Sequence, residues 1–257
     1  MKVLRERRGA VEIITINRPE VRNCVDGETA GAMRAAFDEI ERDESVRAVI
    51  LTAAGDKAFC TGLDLKAFAK HGAPVIDQVV FKDVGWAGIA QRHLPQPLIG
   101  AINGPAIAGG LELALACDFL VAAEHAIFAI GEARVGGLSD AGACLRLPHW
   151  IPLPLAKEML FTALPIDAAR AYSVGLVNHV VPKEQLLDKA IEVAETIARL
   201  PQESIVRMKR LVHEVLDVPE KDAWPINNRY LAWSQQSAEL AQGAKAFTEG
   251  KTERYRR

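Results

Sequence analysis

Short apolar, β-branched runs recur through the first half of the chain: Val11–Asn17 (VEIITIN), Ala48–Thr52 (AVILT), Leu98–Ile102 (LIGAI) and Phe119–Ala123 (FLVAA). Runs of this length, bounded by turn residues, are strands. The segments between them read as helices. Asp26 caps one that continues to about Asp43, with Met33, Phe37 and Ile40 at spacings of three and four, and a second helical stretch runs from about Val75 to Leu94. Strands that alternate with helices pair parallel through right-handed crossovers, and their functional loops gather at the carboxyl ends of the strands. The expected class is therefore α/β. Val3–Arg7 is the hairpin partner of the first run across Arg8-Gly9.

From about Ala141 the helical pattern dominates, with segments near Leu153–Thr162, Ala168–Val174, Lys183–Leu200, Ser204–Leu216 and Asp222–Ser234, interrupted only by a short strand in Leu176–Val181. Such a tail has no uncovered sheet left to bury its faces on, so it packs on itself, on the core or on other subunits. The division expected is a core over residues 1–195 and a helical C-terminal region over 196–257.

A chain of 257 residues with 49% hydrophobic content can bury a full core. Its formal net charge of −2 provides no general attraction to nucleic acid or to an anionic membrane. No apolar stretch suits a signal peptide or a membrane span, and the expected location is cytoplasmic. Cys24, Cys60, Cys117 and Cys144 form no CxxC, and the histidines form neither HxxxH nor HExxH, so neither a disulfide framework nor a metal site is expected. His93, His125 and His149 have no base-orienting partner in sequence and read as structural.

Chemistry concentrates in Ala108–Asp118 (AGGLELALACD), where a glycine pair precedes a helix with a lone carboxylate, Glu112, in its first turn. Helix starts leave amides unpaired, and these can stabilise an anion that develops during a reaction. Glu112 is three residues past Gly109, within one helical turn. That pairing suits acyl chemistry. The plainer readings are a carboxylate serving the helix dipole and glycines that relieve helix–strand crowding.

Five separated segments carry a resemblance along nearly the whole chain: INRPEVRN (16–23), KAFCTGLDLKAF (57–68), INGPAIAGGLELALACD (102–118), FAIGEARVGG (128–137) and AFTEGK (246–251). The chain resembles the crotonases, the enoyl-CoA hydratase/isomerase superfamily. That resemblance implies a ClpP-like spiral of ββα units, a C-terminal helical trimerisation region, a homotrimer or dimer of trimers, and a coenzyme A thioester as substrate, with no separate cofactor. It also implies that the backbone amides of Leu63 and Gly109 hold the thioester oxygen. Hydratases of the family use two glutamates twenty residues apart, and Glu112 and Glu132 keep that spacing. In this assignment Glu112 positions and deprotonates water while Glu132 holds and transfers the proton. Arg22, Asp64 and Leu65 fall near the coenzyme, and Phe247 and Lys251 match, Lys251 one residue late, the aromatic and basic positions that a neighbouring subunit lends to it.

Asp140 departs from ordinary hydratases, which tend to have glycine there. Dienoyl-CoA isomerases, some aroyl-CoA dehalogenases and carnitinyl-CoA dehydratases place aspartate at this position, and LDLKAFAKHGAP and FAIGEARVGGLSDAGACLRLP are most similar to the carnitinyl-CoA dehydratase branch. A third carboxylate can raise its neighbours' pKa, move a proton along the acyl chain, or attack carbon. Hydration or dehydration is the leading expectation. Dienoyl- or 3-enoyl-CoA isomerisation, hydrolysis through Asp140, and a CoA- or RNA-binding scaffold without turnover stand as alternatives. Other plain readings are Asp140 as a helix cap, Glu132 as a turn residue paired with Arg134, Leu63 as core, and Arg22 as a solvated surface residue.

Overall fold

In the computed structural model, which describes residues 1–250, the chain opens with the antiparallel hairpin β1 (Val3–Arg8) and β2 (Val11–Ile16), turning at Gly9 with φ +58°. Helix α1 (Gly27–Arg42) begins at Asp26, whose carboxylate accepts from the Thr29 amide at 2.9 Å and so satisfies one of the helix's free donors. Then come β3 (Ala48–Ala53), α2 (Leu65–His71), α3 (Pro74–Val79), and the two-residue strands β4 (Val80–Phe81) and β5 (Gly85–Trp86). Strands β6 (Leu98–Ile102) and β7 (Ala106–Ile107) lead into α4 (Gly109–Leu115), β8 (Phe119–Ala123), β9 (Ile127–Ala129) and a 3-10 turn at Glu132–Val135. The remainder is α5 (Ala143–Trp150), α6 (Leu153–Thr162), β10 (Ile166–Asp167), α7 (Ala168–Ser173), β11 (His179–Val181), α8 (Leu186–Arg199), α9 (Gln202–Val215), α10 (Glu220–Ser234) and α11 (Ala238–Thr248).

The main sheet has the order β1-β2-β3-β6-β8-β11, parallel from β2 onward. Side chains alternate between its faces. Ile14, Ile16, Val49, Leu51, Leu120 and Ala122 face a core that also holds Met33, Phe37 and Ile40 of α1 and Leu111 and Leu115 of α4. Each of the large α1 side chains is fully buried, stabilising the fold by roughly 1.5–3 kcal/mol. Val11, Ile13, Ala48, Ile50, Ile99, Ala101 and Val121 face the other way, onto Leu186, Ala190 and Ala194 of α8. A second, three-stranded sheet, β10-β9-β7, stands beside the first.

Three sequence expectations are corrected here. The single helix expected over Val75–Leu94 stops at Val79, because Gly85, Ala87 and Gly88 take φ of +72°, +52° and +75° and Gly88 lies so close to α1 that a Cβ would meet the Arg34 Cα at 2.7 Å. A continuing helix would collide there. The tail does find sheet to cover, since the crossovers of α1 and α4 leave one face open and α8 occupies it. The strand expected in Leu176–Val181 is confined to His179–Val181, and β7, β9 and β10 were too short to register as apolar runs.

Candidate active site

The loop that carries Leu63 is held on both sides by Val25: the Val25 amide donates to the Gly62 carbonyl at 2.8 Å, and the Asp64 amide donates to the Val25 carbonyl at 2.9 Å. In such a bridge the intervening residue turns its own amide to the opposite side. Arg18, 11% exposed at its side chain, reinforces the bridge by donating to the Cys24 carbonyl at 2.6 Å and pairing with Asp26 and Asp64. Among the described residues the Leu63 amide has no acceptor, and neither has the Gly109 amide at the start of α4.

These two amides belong to backbone segments in direct contact. A Cβ on Gly62 would lie 2.9 Å from the Gly109 nitrogen, and one on Gly109 would lie 3.2 Å from the Gly62 Cα and 2.7 Å from Cη2 of Trp86. The approach requires glycine at both positions. Gly110 is required more strictly, because its Cβ would stand 1.9 Å from the Cys60 carbonyl oxygen. Ala108, just before the pair, adopts φ +56° and ψ −130°, a region costly for any residue with a Cβ. Its amide donates to the Ala129 carbonyl while its own carbonyl accepts from Leu111 and Glu112, so the strain sits at the turn that aims the Gly109 amide.

Glu112 lies on the buried face of α4 at 3% exposure. Rather than only serving the dipole of its own helix, it accepts at Oε1 from the Ala143 amide, 3.0 Å away, at the start of α5. Burial pushes its carboxyl up to about 7, the charges of Glu132 and Asp140 add to the rise, and the amides of Ala143 and Ala141 oppose it. Glu132, in the 3-10 turn, is half-buried and accepts from the Ser139 hydroxyl at 3.1 Å. Burial raises its pKa as well, against hydrogen bonds from its own amide, Ser139 and Gly131, with Asp140 adding to the rise. Arg134 is not its partner. That guanidinium donates instead to the Ala163 carbonyl at 2.7 Å.

Asp140 is exposed, and it does not cap α5, whose cap residue is Gly142 at φ +125° with no side-chain bond. Glu112 supplies an acceptor there instead, for the Ala143 amide 31 residues later. The Cys144 thiol, raised first by burial, is raised further by the charges of Glu112, Glu132 and Asp140. A carboxyl with a pKa near neutrality, beside a second one, can both hold and release a proton in ordinary buffer.

The remaining sequence candidates are spread around this centre. Asp64 caps α2, accepting from the Lys66 and Ala67 amides at 3.2 Å while pairing with Arg18; despite burial, these partners hold its pKa below the ordinary range. Leu65 is 55% exposed at the first position of α2. Arg22 is exposed with φ +56°, and its carbonyl lies 3.4 Å from the Thr61 hydroxyl, two residues from Leu63. Phe247 stands 75% exposed on α11, and Lys251 lies outside the described residues. Sequence reasoning missed Arg18, Ser139, Trp86 and Arg146, whose guanidinium reaches the Ala90 carbonyl at 2.6 Å. Trp86 and Arg146 act through partners distant in sequence, Gly109 and the Ala90 carbonyl, while Arg18 and Ser139 have partners six to eight residues away whose geometry the sequence does not display. A cavity of about 590 Å³ between α9 and the core, lined by Cys117, Asp118, Arg146 and Met208, contains none of the candidate residues. Among the described residues, no cluster of His, Cys, Asp and Glu could hold a metal ion, the cysteines are free thiols, and no helix is long and apolar enough to cross a membrane.

The fold is that of the crotonases, and the chain belongs to the enoyl-CoA hydratase/isomerase family, whose sequence model matches residues 6–257. Among its relatives, a carnitinyl-CoA dehydratase of Salmonella agona is 38% identical over 219 residues, covering 85% of this chain and 82% of that one. Among solved structures, an enoyl-CoA hydratase from Mycobacterium tuberculosis H37Rv superposes with a TM-score of 0.90 at 36% identity, covering 96% of both chains. A carnitinyl-CoA hydratase from Mycobacterium avium gives 0.78 at 35% identity, covering 97% of this chain and 96% of that one.

Proposed function

We propose that this protein is a hydro-lyase that adds water to, or removes it from, the α,β bond of a coenzyme A thioester. The observation that carries the reading is the pair of unengaged amides, Leu63 and Gly109, on touching backbone segments, with Gly109 one helical turn from buried Glu112. Both amides donate to the thioester oxygen, which becomes negative as the enolate forms; donors fixed in a water-poor site supply the largest share of such catalysis, on the order of several kcal/mol. In the hydration direction Glu112 takes a proton from water as its oxygen bonds to the β-carbon. The double-bond electrons move toward the thioester oxygen, and Glu132 delivers a proton to the α-carbon. Dehydration runs the same steps backward.

Within this class we place the substrate among carnitinyl- and crotonobetainyl-type thioesters. The exposed carboxylate of Asp140, which acts electrostatically on both glutamates, supports this: a third negative charge suits a quaternary ammonium group on the acyl chain. Arg22, beside the Leu63 loop, is assigned to the coenzyme. Exposed Leu138, Leu145, Phe161, Met208 and Leu216 support burial in a homotrimer or dimer of trimers, with Phe247 reaching a neighbour's coenzyme and residues 196–257 mediating assembly.

The test is a panel of crotonobetainyl-, crotonyl-, long-chain and dienoyl-CoA, followed at the absorbance of the conjugated thioester. Crotonobetainyl-CoA should be hydrated fastest, with solvent ¹⁸O entering the product. Much faster hydration of crotonyl-CoA would overturn the cation-specific assignment. Turnover without ¹⁸O would make the protein an isomerase, and a covalent acyl-Asp140 would make it a hydrolase.

A further inference from the structure

Trp86 belongs to none of the site residues expected from sequence, yet it touches one of them. If glycine 109 carried a Cβ, that atom would lie 2.7 Å from Cη2 and 2.9 Å from Cζ2 of the indole, so the benzo edge of the ring rests directly on the Gly109 Cα. Adding standard bond lengths and one hydrogen bond places that edge no more than about 8 Å from a carbonyl oxygen held by the Gly109 amide. A four-carbon acyl group extends roughly 4–5 Å from that oxygen and an eight-carbon group roughly 10 Å. The ring edge therefore stands within reach of an acyl chain longer than four carbons.

The ring is also held in place. Trp86 is 7% exposed, and its carbonyl accepts from the Ile89 and Ala90 amides at 3.1 Å each. The Ala87 amide donates to the Val79 carbonyl at 2.7 Å, Gly88 is wedged against Arg34 of α1, and Arg146 ties the Ala90 carbonyl to α5, whose first amide holds Glu112. Side chains that close a pocket must resist displacement, and this turn is anchored to both helices that flank the site.

We infer that Trp86 is a specificity-determining wall of the acyl pocket, limiting how long an acyl group can be through the position of its benzo edge against Gly109. The inference rests on the assignment of the Gly109 amide to the thioester oxygen. It does not depend on the ammonium group or on which proton transfer follows.

The experiment measures binding of the unreactive saturated thioesters butyryl-CoA and octanoyl-CoA by calorimetry, with the full-length protein and its Trp86→Phe and Trp86→Ala variants. It also measures kcat/KM for the corresponding crotonyl and octenoyl thioesters. Each additional methylene the pocket accepts is worth a factor of roughly four. Trp86→Ala should therefore shift the octanoyl-to-butyryl affinity ratio toward the longer chain by about tenfold or more, with Trp86→Phe in between. An unchanged ratio in either folded variant overturns the inference, since a merely structural role weakens both ligands together. Absent turnover with a shifted binding ratio would instead count against the hydro-lyase reading and leave Trp86 as the wall.

Discussion

Replacing Glu112 with glutamine should make the protein more stable and less active at once, and the size of the first effect follows from the site. The carboxyl is 3% exposed and its pKa is raised from 4.5 to about 7, burial being the largest cause. A raised acid binds its proton more tightly in the folded state than in the unfolded one. Below pH 4.5 it is protonated in both states and costs nothing; as pH rises it ionises first in the unfolded chain, and the penalty is complete above pH 7. The difference of about 2.5 units corresponds to about 3 kcal/mol of lost stability at pH 8 and under ~1 kcal/mol at pH 5. Glutamine has the same shape and keeps an oxygen for the Ala143 amide, yet never ionises. Urea unfolding of wild type and Glu112→Gln, followed by tryptophan fluorescence at pH 5 and pH 8, should show the variant gaining about 3 kcal/mol at the higher pH and little at the lower. Turnover should fall by about 10²-fold or more while CoA affinity stays within a few fold. A stability difference independent of pH would refute the buried, proton-holding state of Glu112, and near-normal turnover would refute its role.

Three further perturbations follow from the same structure. Asp140→Asn removes a like charge from both glutamates, so their pKa values should fall and the acid limb of the kcat/KM profile should move to lower pH; an unmoved limb would mean Asp140 is electrically separate from the pair. Gly110→Ala forces a Cβ to within 1.9 Å of the Cys60 carbonyl oxygen, which α4 can avoid only by leaving its seat, and a loss of more than about 4 kcal/mol in thermal unfolding is expected. Asp26 is the opposite case from Glu112. Although burial works to raise it, Lys2, the Thr29 amide and hydroxyl, and Arg18 lower its pKa from 3.8 to about 2. Its contribution is therefore present above pH 3.8 and lost as pH falls through about 2. Asp26→Asn should cost about 2 kcal/mol at pH 7, and a neutral result in urea unfolding would show the ion pairs to be too solvated to matter.

What could be read along the chain was local. Asp26 as a cap, the helix over Leu153–Thr162 and the four long strands each depend on residues within a turn or two of one another, and they stand where sequence places them. The glycine pair and the two glutamates at their characteristic spacing were also legible, because α4 fixes Gly109 and Glu112 within a single turn.

The helix expected after Val75 failed for a reason no window contains. Gly85 and Gly88 are consistent with helix or turn until Arg34, some fifty residues earlier, occupies the space a helix would need. Asp140, beside a helical start, looked like a cap by position, and the cap went to a carboxylate from another helix. Sequence alone determined which groups the candidate site holds: periodicity and turn propensity are short-range, and the carboxylates and glycines are written directly into the chain. Tertiary structure alone decided their state. Burial raises Glu112 toward neutrality, a parallel bridge turns the Leu63 amide away from Val25, and an indole settles against Gly109, because desolvation and contact depend on what surrounds a group in space and not on what precedes it.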